Sequence, residues 1–135
     1  MKEVERYFKG LADRNRLRIV GLLFQGELCG CDIQYVLGIP QPRVSRHLSY
    51  LKNSGLVNDR RSGFRVFYSL VNDQQGTTKA LFDWLRTVFK RDETFRKDEQ
   101  KLKRAIAHGA CTVSQSHLYS ITARPRSATQ TELTR

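Results

Sequence analysis

The chain has 135 residues and a mass of 15.6 kDa, enough for one domain plus a tail, with 39% hydrophobic residues to build a core. Lys and Arg number 24 against 13 Asp and Glu, a net charge of +11 that favours a polyanionic partner, nucleic acid first. No apolar run approaches the ~20 residues that span a bilayer and the N-terminus has no signal-peptide core, so a cytoplasmic protein with no membrane partner is expected, its three cysteines thiols rather than a disulfide framework.

Val4, Tyr7, Phe8 and Leu11 form a first amphipathic stripe, too short to be a stable helix without a partner. Asp13 can cap the next helix, whose apolar face runs through Leu17, Val20, Leu23 and Phe24 to Gly26. Arg14, Arg16 and Arg18 on that helix read as a solvated face, with a phosphate contact as the alternative for one of them.

Next comes Glu27-Leu28-Cys29-Gly30-Cys31-Asp32-Ile33. Asp32–Leu37 has the size of the first helix of a helix-turn-helix, with Ile33, Val36 and Leu37 facing inward and Gly38 opening the turn. Cys29 and Cys31 then stand on the threshold of that helix. Inside it they would point roughly 200° apart, at ~100° per residue; just before it the chain can turn and both sulfurs can converge. Amide N–H groups at a helix start favour the thiolate, whereas the Asp32 carboxylate opposes a second negative charge. Two readings stand for this pair: small buried hydrophobes, or ligands, with Gly30 making convergence easier. A structural zinc site needs four ligands that this spacing does not supply, so a soft ion satisfied by two or three sulfurs fits better.

The stretch that follows is the centre of the chain. Pro42 suits a first helical turn, with Pro40 or Gln41 marking the entry. Val44, Leu48 and Leu51 recur at the i, i+4, i+7 spacing of a buried stripe, and Gly55 is placed to end the helix. Arg43, Ser45, Arg46, His47 and Tyr50 fall on the outer arc, with Gln41 at its start. Such a face fits a DNA major groove, where Arg forks onto guanine and Ser and Tyr reach phosphates or base edges. The alternative for an isolated helix is a solvated basic face. Leu56–Arg61 and Phe64–Leu70 then read as two strands around Ser62-Gly63, with Arg60, Arg61 and Arg65 near the tip. Helix-turn-helix plus basic hairpin makes a winged helix: mainly α, with a small β wing that lies along DNA backbone or minor groove.

Leu81, Trp84, Leu85, Val88 and Phe89 follow helical spacing as one buried face. Arg91–Arg104 is highly charged, with Glu93–Lys97 and Glu99–Lys103 as i, i+4 pairs, while Phe95, Leu102 and Ile106 keep a sparse apolar stripe. A long helix, or two end to end, with that stripe outside the core suggests a homodimer through the N- and C-terminal helices; the alternative is a helix capping its own domain. Residues 1–108 thus read as a DNA-binding and dimerisation domain. Residues 109–135, rich in Ser, Thr and Arg, read as a disordered basic tail. No nucleophile-and-base arrangement is present, and the cysteine pair is not C-x-x-C, so an enzyme is not expected.

On these residues the chain resembles the ArsR/SmtB family of winged-helix metalloregulatory repressors. Leu11-Ala12-Asp13-Arg14-Asn15-Arg16-Leu17-Arg18-Ile19-Val20 is similar to their "LADxTRLxIL" opening. Glu27–Ile33 is similar to their "ELCVCDL" metal box, and Gln41–Val57 to "QPxxSRHLxxLxxSGLV", nearest to the arsenic-responsive branch. The resemblance implies a homodimeric repressor of resistance genes that needs no cofactor and leaves double-stranded operator DNA when trivalent arsenic or antimony binds its cysteines. A third thiolate often lies three residues beyond the second cysteine in that branch; here Gln34 stands there, which leaves Cys111, a small thiol or two-coordination to complete a site begun by Cys29 and Cys31. Lead and cadmium sensors of the family add cysteines in an N-terminal extension, and none precedes Cys29. The zinc and cobalt sensors use a His/Asp constellation on the last helix, where only His108 occurs. The rival readings are a thiol redox or persulfide switch on the same fold, and a cadmium or lead sensor.

Overall fold

In a computed structural model of the chain, residues 1–73 and 76–107 are described. They form helices α1 (Lys2–Leu11) and α2 (Arg14–Leu23), a short strand β1 (Leu28–Cys29), helices α3 (Gly30–Leu37) and α4 (Gln41–Asn53), the hairpin β2 (Val57–Ser62) and β3 (Arg65–Leu70), then α5 (Thr77–Phe89) and α6 (Glu93–Ala107). Cys111 and the 109–135 segment lie outside the described residues.

Local chemistry sets each boundary of the helix-turn-helix unit. Asp13 caps α2 by accepting from the backbone N–H of Asn15 at 2.8 Å and of Arg16 at 3.1 Å. Gly38 ends α3 at φ 69°, the left-handed conformation a side chain would disfavour. The end of α4 is closed by two reversed bonds, Leu56 N–H to Leu51 C=O at 3.1 Å and Gly55 N–H to Lys52 C=O at 3.0 Å, with Gly55 at φ 84°. That closure turns the chain straight into β2. Val44, Leu48 and Leu51 on α4 and Ile33 and Val36 on α3 are almost fully buried, sharing a core with Ile19, Leu22, Leu56 and Leu102. Burial of each such side chain is worth about 1.5–3 kcal/mol.

The sheet has the order β1-β3-β2, antiparallel throughout. Ser62 pairs with Arg65, so the turn is Gly63-Phe64 rather than Ser62-Gly63, and Phe64 belongs to the turn instead of the second strand. Gly63, at φ 64°, supplies the backbone that a two-residue hairpin loop requires.

Four further expectations change. The apolar stripe of α6 is spent inside the molecule: Leu102 and Ala105 are buried, and Phe89 of α5 stacks on Phe95 at 3.5 Å. Gly21 makes room for this, since a Cβ there would lie 2.6 Å from the Phe95 ring. The face of α5 is also rotated. Phe82, Leu85 and Phe89 are buried, whereas Trp84 is 58% and Val88 39% exposed. On α1, Tyr7, Gly10 and Leu11 are buried and Phe8 is 54% exposed. Lastly, Arg18 is no solvated residue: it donates two hydrogen bonds of 2.9 Å to the buried Asp98 carboxylate, tying α2 to α6.

Candidate functional site: reading helix, wing and cysteine pair

Gln41, Arg43, Ser45, Arg46 and Tyr50 all stand on the exposed side of α4, opposite its buried stripe. Gln41 Nε2 donates to Ser45 Oγ at 3.5 Å, one turn on. His47 departs from that outer arc. It is half-buried against the start of α2, its Nδ1 3.3 Å from Arg16 Nη1 and 3.9 Å from the Asp13 carboxylate. Arg16, which the sequence reading left in solvent, is the buttress of this face. Its guanidinium donates to the Gly10 carbonyl at 2.7 Å and lies 4.1 Å over the Tyr50 ring.

The wing arginines have separate surroundings. Arg60 is held by Glu27 through two hydrogen bonds of 2.8 Å and stacks 4.7 Å over the Phe67 ring. Arg61 is exposed. Arg65 is half-buried and near enough to Cys29 to favour its thiolate. The pairing of Glu27 with Arg60 carried no signal in the sequence, because it depends on the strand order of the sheet.

Cys29 and Cys31 converge. Their sulfurs lie 2.8 Å apart. Helix α3 begins at Gly30, two residues earlier than the sequence suggests, so Cys29 is its N-cap and Cys31 falls in the first turn. Convergence survives because Cys29 has extended backbone, φ −82° and ψ 160°, which swings its side chain off the helical spiral. The thiol of Cys29 donates to Asp32 Oδ2 at 3.5 Å. Burial pushes its pKa well above the ordinary thiol value and the Asp32 carboxylate adds to this; the N–H groups of Asp32 and Cys31 and the charge of Arg65 act in the opposite direction. Burial wins, a term that the local motif does not reveal. Among the described residues no group of three or more His, Cys, Asp or Glu side chains is arranged to hold a metal ion.

The cysteine segment touches both the wing strand and the start of α4. Leu28 pairs with Tyr68 and Cys29 with Phe67, so the pair is continuous with the wing strand β3. A Cβ on Gly30 would lie 3.7 Å from the Tyr68 ring and 3.8 Å from Gln41 Nε2, the first side chain of α4. Tyr68 was not singled out by sequence and sits at this junction.

Residues 13–59 match the family model of bacterial regulatory proteins of the arsR family. The chain is 37% identical over 117 residues to the arsenical resistance operon repressor of Escherichia coli (strain K12), covering 84% of this chain and 92% of that one. It is 45% identical over 64 residues to an arsenic resistance transcriptional regulator of Pseudomonas putida, of which it spans 50%. Among solved structures, the homodimeric winged helix-turn-helix DNA-binding domain of a Mycobacterium bovis protein superposes with a TM-score of 0.58 at 34% identity, covering 66% of this chain and 80% of that one. These are transcriptional regulators in sequence and in fold, and the present chain belongs to the ArsR family of bacterial regulatory proteins.

Proposed function

We propose that this ArsR-family repressor binds its operator as a homodimer and releases it when trivalent arsenic or antimony is held by Cys29 and Cys31. The observation that carries the reading is the convergence of the two sulfurs to 2.8 Å at a junction shared by the wing strand and the start of the reading helix. Cysteine sulfurs suit a thiophilic ion, which supplies strong bonds to thiolate. The residues themselves do the rest. Drawing Cys29 and Cys31 onto one centre costs the thiol–Asp32 contact, and any change in the Cys29 backbone is felt by Phe67 across the strand pair. Gln41, beside Gly30, feels the same change at the entry to α4. A shift of about an ångström there misplaces Arg43, Ser45 and Arg46 against base edges and phosphates. Moving an operator from 99% to 1% occupancy takes about 5.5 kcal/mol of differential binding.

In this reading Gln41, Arg43, Ser45, Arg46 and Tyr50 face the major groove, and Arg61 with Arg60 and Arg65 serves the wing. His47 acts through α4, holding it against α2. The second copy covers Phe8, Trp84 and Val88, the exposed apolar side chains of α1 and α5. The relative from Mycobacterium bovis is homodimeric, which supports this. Cys111, a small thiol or two-coordination completes the site.

Operator binding followed by fluorescence anisotropy under reducing conditions, titrated with arsenite, antimonite, cadmium, lead and zinc, tests the proposal. Release by arsenite or antimonite, lost in Cys29→Ser and Cys31→Ser, is expected; Cys111→Ser reports on the third donor. The same sulfur–sulfur approach favours a second reading, a redox or persulfide switch. Release by peroxide or persulfide with no response to any ion would replace the first reading with that one.

A further inference from the structure

We propose that Phe64 is a minor-groove wedge, inserted from the wing tip beside each half-site, which gives the repressor a preference for easily unstacked pyrimidine–purine steps. The inference rests on the DNA-binding part of the function proposed above, and not on its metalloid part.

Phe64 is 102% exposed, the most solvent-accessible aromatic side chain among the described residues. Its position is nonetheless fixed. The strands below it are paired without interruption from Val57↔Leu70 to Ser62↔Arg65, and Val57 at the root is buried. Six residues at about 3.4 Å each hold the tip roughly 20 Å from that root. The turn itself requires Gly63, at φ 64°, and a small polar residue would complete it as well as Phe64 does. The ring therefore adds nothing to the hairpin. A single exposed apolar side chain is ordinary on a protein surface, but one held rigidly at the tip of a basic hairpin is placed to meet a partner.

The surroundings identify the partner. Arg61 precedes the turn and Arg65 follows it, so the ring is carried between two cationic positions. A hydrophobic peptide or a second copy of the wing would gain nothing from those charges. The DNA minor groove satisfies both features: phosphates line its two rims, and its width of about 6 Å admits an aromatic ring edge-on. Apolar side chains inserted there partly unstack a base step, and pyrimidine–purine steps yield most readily. Specificity of this kind comes from deformability and needs no hydrogen bond to a base edge.

The test uses the full-length chain and a duplex that it selects from a random-sequence pool. Phe64→Ala should weaken binding about 5–20-fold, whereas Phe64→Leu, still a wedge, should stay within about threefold of the wild type. The slope of affinity against salt should be unchanged, since no phosphate contact is lost. 2-Aminopurine placed at the flanking pyrimidine–purine step should brighten on binding of the wild type and not of Phe64→Ala. Thermal unfolding and sedimentation should be the same for all three. Binding of Phe64→Ala within twofold of the wild type overturns the wedge, as does a loss accompanied by a changed salt slope or by dissociation to monomer. A wild type that selects no duplex overturns both this inference and the repressor reading. A wild type that binds but ignores arsenite overturns only the metalloid assignment.

Discussion

Around His47, α2 and α4 meet through a histidine kept neutral by its surroundings. Burial lowers the imidazole pKa below its ordinary value; the Asp13 carboxylate works against this, and Arg16, Arg43 and Arg46 add to it. A guanidinium only donates, so Nδ1 must accept from Arg16 and the ring carries its proton on Nε2. Because the folded pKa is depressed, the unfolded chain takes up the proton more readily. Stability is therefore complete above about pH 6.5 and falls as pH drops from there through the folded value. Urea midpoints at pH 7.5 and 5.5 should differ in the wild type, and that difference should shrink in His47→Gln, whose amide can still accept from Arg16. An undiminished difference would place the titration elsewhere. The sequence located His47 on the reading helix but not its burial, because helical spacing gives an angle around the axis and not the helix packed at that angle.

At the scale of elements, local signals were legible and pairings were not. The cap at Asp13, the turn glycines Gly38 and Gly55 and the buried stripe of α4 all follow from neighbours in sequence. The partner of α6 does not: Phe95, Leu102 and Ile106 announce an apolar stripe without saying whether it meets this chain or another copy. Arg18 and Asp98, 80 residues apart, settle that it packs on α2. Removing one member of this largely buried pair leaves the other uncompensated. Asp98→Ala should cost about 2–3 kcal/mol of unfolding free energy in urea, and Asp98→Asn, which keeps one acceptor, clearly less. A second pairing hidden from the sequence joins Glu27 to Arg60, beside the cysteine pair and across the wing. If β1 transmits strain to the wing, Glu27→Ala should change operator affinity less than threefold. It should also reduce the arsenite-induced loss of affinity at least fivefold, both read by anisotropy. An unaltered response would leave Gln41 and α4 as the route.

Over the whole molecule, a net charge of +11 secures attraction to DNA but not register. In the homodimer proposed above, register would come from two reading helices held about one DNA turn, roughly 34 Å, apart by two-fold symmetry. Composition and pattern made both the charge and the need for a dimer legible, and the arsR-type motifs named the architecture. They pointed to the N- and C-terminal helices for joining the copies, but the apolar stripe of α6 is taken up by its own core. Among the large apolar side chains left outside, Phe8 lies on α1 and Trp84 and Val88 on α5. None supports the fold of its own chain extensively, so substitution there separates assembly from folding. Phe8→Glu combined with Trp84→Glu should leave the circular dichroism spectrum intact and shift sedimentation from dimer to monomer. Operator affinity should fall more than tenfold, because each half-site must then be bound without its neighbour. Non-specific affinity for a half-site duplex should change far less, as the basic reading surface is untouched. A variant that stays dimeric would move the interface off α1 and α5, and one that becomes monomeric yet keeps full operator affinity would remove two-fold symmetry from the recognition mechanism.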